Sequence, residues 1–145
     1  MPTDTDAEAP EVALLDTSAA IALMVEDHEA HAATLEGVRG RRLGLAGHAW
    51  FETYSVLTRL PGGLRRSSAD VAALLSHDFP ASAFLAEQAA AALGSELARL
   101  NISGGAVYDA LVAVAARQHD RTLVSGDARA RPLYEALGVR VRLVG

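Results

Sequence analysis

The stretch VALLDTSAAIAL, residues 12–23, decides the fold. It opens on four apolar residues, Val12 to Leu15, with no polar residue alternating among them. Such a run fits a strand buried on both faces, the kind found in parallel sheets. Asp16-Thr17-Ser18 then offers helix-capping side chains, and Ala19 to Val25 has helical character. Strand, acid and helix follow one another without a loop. The motif recurs near the C-terminus, where Arg121 to Val124 reads as a strand that runs into Ser125-Gly126-Asp127.

Between these two stretches the chain alternates the same two elements. Helices are expected from about Glu29 to Val38, from His48 to Leu60 and, after the capping signature Ser67-Ser68-Ala69-Asp70, through Val71 to Leu75. Ala83 to Leu100 is Ala-rich and helical. Ser103 is placed to cap a helix over about Ala106 to Gln118. A last helix is expected near Pro132 to Leu137, with Gly138 as its stop. Arg42 to Ala46 reads as a strand, and Val139 to Val144 alternates apolar residues with Arg, as an outer strand does. Short apolar strands separated by helices argue for an α/β fold with a mainly parallel sheet covered by helices on both faces. No repeat or internal linker interrupts it, so residues 11–145 read as one domain and residues 1–10 as a flexible acidic tail.

Composition narrows the chemistry. The 145 residues contain no cysteine, which excludes disulfides and thiolate metal sites. No apolar run approaches the roughly 20 residues of a membrane span, and the acidic N-terminus lacks the plan of a signal peptide; a cytoplasmic protein with no membrane partner is the expectation. The net charge of −5 excludes a wholly basic nucleic-acid binder. A nuclease built on carboxylates remains compatible with it. All 13 basic residues are arginine and none is lysine.

Four acids stand out. Asp16 and Asp127 each follow a strand, on the sheet edge where parallel α/β folds gather their sites. Each also has a capping reading, and the two can coexist because a carboxylate has two oxygens. Asp109 lies in AVYDALVAVAA, residues 106–116, a helix apolar almost all round. An ionised carboxylate buried there is costly unless it is paired or binds a metal; its place one turn into the helix also favours the positive helix end. Glu52 lies among bulky apolar residues in HAWFETYSVL, residues 48–57. Its alternatives are an exposed helix position or a pair with Arg59. Clustered carboxylates raise one another's pKa, and a hard divalent cation removes that penalty. Mg²⁺ takes oxygen ligands and keeps several waters. The bound ion can activate a water and stabilise charge on a phosphate. The four acids therefore read as one pocket that binds Mg²⁺ or Mn²⁺ and can act on a phosphate.

At these residues the sequence resembles the PIN-domain ribonucleases, and within them the VapC-type toxins of bacterial toxin–antitoxin pairs. The matching segments are LLDTSAAIAL (14–23), HAWFETYSVLTRLPGG (48–63), ISGGAVYDALVAVAARQH (102–119) and TLVSGDARARPLYEALGV (122–139). The resemblance implies a three-layer α/β/α sandwich and a Mg²⁺- or Mn²⁺-dependent endoribonuclease, with Asp16, Glu52, Asp109 and Asp127 in its acidic cluster. Within that cluster Asp16 and Asp109 are the expected direct ligands; Glu52 and Asp127 hold a second ion or the metal-bound waters. Ser125 matches the hydroxyl residue that usually precedes the last acid by two positions, and Thr17 or Ser18 is placed to hydrogen-bond ligands or waters. Where many relatives carry an aromatic residue a few positions after the last acid, this chain has Arg129 to Pro132. The resemblance also implies a homodimer and a small antitoxin partner whose tail lies over the acidic groove.

Arg59, Arg65 and Arg66 are candidate contacts to the RNA backbone, with a solvated loop as the alternative. Trp50, Phe51 and Tyr54 read as core or dimer surface rather than as stacking platforms for bases. His48, His77 and His119 show no zinc-type spacing. Two rival functions share parts of the pattern. A phosphoaspartyl signalling domain or phosphatase also places Asp at strand ends, but normally needs a lysine that this chain lacks. A non-catalytic PIN-like scaffold would have no need of all four acids.

Overall fold

The computed structural model describes residues 10–145. The tail expected over residues 1–10 falls, apart from Pro10, outside them. Four strands form one parallel sheet: β1 (Val12–Leu15), β2 (Arg42–Leu45), β3 (Thr122–Ser125) and β4 (Val141–Leu143), in the order β2-β1-β3-β4. Among the described residues seven α-helices accompany them: α1 (Thr17–Met24), α2 (His31–Gly37), α3 (His48–Thr58), α4 (Ser68–Asp78), α5 (Glu87–Arg99), α6 (Ala106–Gln118) and α7 (Arg131–Ala136).

Strand composition explains strand position. β1 and β3 are inner strands, and Ala13 to Leu15 and Leu123 to Ser125 are fully buried. β4 lies at an edge and is mostly exposed, which suits its Val-Arg-Leu sequence. Successive strand side chains point to opposite faces, and the core divides accordingly. Leu14 and Leu123 pack with Leu93 and Leu137, residues of the face covered by α5, α6 and α7. Ala13, Leu15 and Val124 pack with Leu57, Val71, Leu75 and Phe79, on the face of α1, α3 and α4. Helices on both faces of one sheet make three layers.

The second edge of the sheet, β2, is closed by residues 81–83. Ala81 and Ala83 donate backbone hydrogen bonds to Leu43 O and Leu45 O at 2.9 and 3.1 Å, and the Ser82 hydroxyl accepts from Leu45 N at 2.9 Å. The fit requires glycine at 44: a Cβ there would lie 2.3 Å from the backbone of Ala81. Residues 83–86 therefore leave the long helix expected from Ala83, and α5 begins only at Glu87. Two caps can be compared with expectation. Ser67 caps α4 through a 3.1 Å bond from Asp70 N. Ser103 does not cap α6, whose N-cap is Gly105 with no side-chain bond.

Candidate active site

A parallel sheet sends all its strands out at one edge, and three adjacent strands deliver the acids there. β1 ends at Leu15 and Asp16 follows at once. β3 ends at Ser125, two residues before Asp127. β2 leads through Ala46 and Gly47 into α3, whose fifth residue is Glu52. Gly47 makes that turn at φ 49°, and a Cβ there would press to 2.9 Å from Ala115 of α6. The chain leaves β1 toward β2 on one side and returns to β3 on the other, so Asp16 and Asp127 flank the point where strand order reverses, the usual binding crevice of such sheets. Asp109 enters from the first turn of α6.

The four acids line one cavity of about 140 Å³, together with Thr17, Ser18, Val112 and Tyr134. Asp16 is 3% exposed and its carboxylate is held from both sides. Oδ1 accepts the Ser18 hydroxyl at 2.6 Å and Ala19 N at 3.0 Å; the second bond is the N-cap of α1. Oδ2 accepts the Tyr134 hydroxyl at 2.9 Å. Capping and site formation thus use the same side chain. Ser18 in turn accepts from Gly126 N at 2.9 Å, tying α1 to the turn after β3. Ser125 accepts from Asp127 N at 3.0 Å, and Asp127 Oδ1 accepts from Arg129 N at 3.0 Å. The acidic turn is therefore braced at both ends.

Glu52 lies 3.8 Å from His48 Nε2. The alternative pairing with Arg59 does not form: the Arg59 guanidinium donates to Ser55 O instead. Asp109 carries the electrostatic signature of the cluster. Burial raises its pKa above the ordinary carboxylate value, and the charges of Glu52, Asp16 and Asp127 raise it further. Burial and the charge on Asp16 push the Tyr134 hydroxyl far above its usual range, so it remains a neutral donor.

Among the described residues, no three of the acids close around a point tightly enough to cage an ion unaided. The donor set nonetheless suits a hard divalent ion. It consists of oxygen atoms alone, its charges repel one another at Asp109, and an ion that keeps several waters needs only a few direct carboxylate bonds. The Thr17 hydroxyl, which also borders the cavity, is buried without a protein partner. It is the group left open to a ligand or water, whereas the support to Asp16 comes from Ser18.

Arg59, Arg65 and Arg66 do not line this cavity. The Arg65 side chain donates to Leu60 O. Arg66 borders a separate hollow of about 640 Å³ with Leu23, Leu35, Leu74 and Phe79. Tyr134 is a site residue that the sequence reading missed. The available signal was an aromatic residue on the helix after Asp127, seven positions on rather than within the Arg129–Pro132 stretch.

The family model of the PIN domain matches residues 13–135, from β1 into α7 and across all four acids. The chain belongs to the PIN domain family. It is 50% identical over 127 residues to ribonuclease VapC27 of Mycobacterium tuberculosis, covering 88% of this chain and 93% of that protein. It is 41% identical over 131 residues to ribonuclease VapC40 of the same species, covering 89% and 96%. No solved structure matches it significantly. The resemblance drawn from four short motifs thus extends over nearly the whole PIN domain.

Proposed function

We propose that the chain is a divalent-metal-dependent endoribonuclease, the toxin of a toxin–antitoxin pair. The observation that carries this reading is the convergence of Asp16, Glu52, Asp109 and Asp127 on one cavity in a PIN domain, with the pKa of Asp109 raised by the other three. Identity of 50% to a protein named a ribonuclease supports the substrate class.

Asp16 and Asp109 are the residues to hold Mg²⁺ or Mn²⁺, with Glu52 and Asp127 holding a second ion or ordering its waters. When bound, the ion activates water and neutralises charge building on the phosphate. The chain supplies the rest. Ser18, Ala19 and Tyr134 fix the orientation of Asp16. Ser125 and Gly126 fix the turn that presents Asp127. Glu52 and Asp127 reach the cavity from the strands on either side of β1. A small antitoxin and a second copy of the chain are the proposed partners.

Cleavage of a structured RNA pool tests the reading. EDTA abolishes cleavage and Mn²⁺ restores it, and Asp16→Asn and Asp109→Asn each abolish it while the fold persists by circular dichroism. Turnover near that of the unmodified protein in both variants would remove these acids from the reaction.

A further inference from the structure

The mechanism above uses the acids and Tyr134 but not two further rings close by, those of Tyr108 and His48. Tyr108 precedes Asp109 in α6 and is 52% exposed, unusual for a large side chain on so buried a helix. Its ring stacks on that of His48, with centroids 5.1 Å apart and planes at 21°. His48 opens α3, and its Nε2 lies 3.8 Å from the Glu52 carboxylate. A row of two parallel rings therefore runs outward from an acid of the pocket, mounted on two rigid helices.

Apart from the ion it would hold, a pocket this acidic offers RNA no positive charge of its own. No arginine lines the pocket. Among the described residues the one arginine paired with an acid of the cluster, Arg129, is turned onto Asp127. Every base has a π-face, so an aromatic shelf adds a grip on single strands that tolerates any sequence. We propose that Tyr108, backed by His48, is the shelf on which the base next to the cleaved phosphodiester of a single-stranded RNA stacks. The proposal rests on the nuclease reading for its substrate. The two planar rings select an unpaired base; a paired base already has both faces covered. Stacking needs only the ring of Tyr108, not its hydroxyl.

Tyr108→Ala, Tyr108→Leu and Tyr108→Phe separate these features. Cleavage kinetics on a single-stranded oligoribonucleotide with Mn²⁺ give KM and kcat. Binding of the same RNA, carrying 2-aminopurine and held with Ca²⁺, is read separately by fluorescence quenching. Tyr108→Ala and Tyr108→Leu raise KM roughly tenfold and weaken binding equally. In both, kcat stays within about twofold, and Tyr108→Phe behaves like the unmodified protein. An RNA with an abasic residue beside the cut costs the unmodified protein the same factor and costs Tyr108→Ala nothing more. Unchanged KM in Tyr108→Ala, or a loss that Phe does not rescue, overturns the shelf. So does a Tyr108→Ala protein whose RNA binding is intact but whose oligomeric state falls, because the ring would then belong to an interface between copies. If RNA binds with Tyr108-dependent quenching but is never cut, the shelf stands and the nuclease reading fails. If the unmodified protein neither binds nor cuts RNA, both fail.

Discussion

Asp16 holds its orientation through three donors from two parts of the chain, and the two parts make different claims on sequence reading. The bonds from Ala19 N and Ser18 are local; an Asp-Thr-Ser run after an apolar strand announces the cap from Ala19 N, whereas Ser18 was expected to reach ligands or waters and turns onto Asp16 instead. The bond from Tyr134 closes a separation of 118 residues, and no spacing rule predicts it. Its role is to position Asp16, since the neutral hydroxyl occupies Oδ2 and leaves the remaining lone pair directed by the protein. Partners one step behind a metal ligand typically change affinity by about 10–100-fold when removed. Tyr134→Phe should therefore weaken Mn²⁺ binding about tenfold by calorimetry, at a cost of about 1 kcal/mol in stability. Unchanged Mn²⁺ affinity would reduce Tyr134 to a packing residue. Asp109, by contrast, was legible from sequence, because an almost wholly apolar helix has little other use for a carboxylate. Its raised pKa means that the folded state binds the proton more tightly than the unfolded chain does. The associated stabilisation is complete below the ordinary carboxyl pKa and is lost as pH rises through the folded value. At pH 7 in EDTA the charge is a burden, so Asp109→Asn should raise Tm by a few degrees. The gain should shrink as pH falls toward 3.8, the ordinary value. Scanning calorimetry at pH 7 and 4 checks both the sign and the trend.

Elements with a strong local period were the most legible. The bounds expected for α6, Ala106 to Gln118, match the observed helix, and Ser67 caps α4 as its motif indicates. The segment between α4 and α5 was not legible. Pro80 marks the end of a helix, but nothing local says that residues 81–83 pair with β2, since that partnership is long-range. Gly44 is the sequence trace of it, and a glycine within a strand signals close backbone approach. Gly44→Ala places a methyl against the Ala81 backbone, an overpacking that costs about 2 kcal/mol or more. Urea titration should show that loss with an unchanged slope. A cost below about 0.5 kcal/mol would mean that the 81–83 segment moves aside freely, since that is the ordinary range for a surface change. The elements that carry the site are held at their starts: Asp16 caps α1, and Gly47 opens α3 toward α6.

At the scale of the whole molecule, the sheet order β2-β1-β3-β4 accounts for the function more economically than any single residue does. Parallel strands bring Glu52, Asp16 and Asp127 to one edge in the order of their strands, and α6 adds Asp109 from above the same point. The parallel sheet and its helical cover followed from short apolar strands separated by helices, beginning at the unbroken run Val12–Leu15. The edge place of β4 also followed, from its alternating arginines; the order of the other three strands did not, because it depends on which helices bury which face. The charge balance also acts globally. A chain of net charge −5 gathers four of its acids in one cavity, which leaves a divalent ion as the natural counter-charge. The central claim is that this cavity is an ion site. Anomalous scattering from crystals soaked in Mn²⁺ tests it most directly. The account predicts a peak within about 2.0–2.6 Å of oxygens from both Asp16 and Asp109, lost in the Asp16→Asn protein. A protein that cleaves RNA with Mn²⁺ while its only peak lies away from these two residues would contradict it.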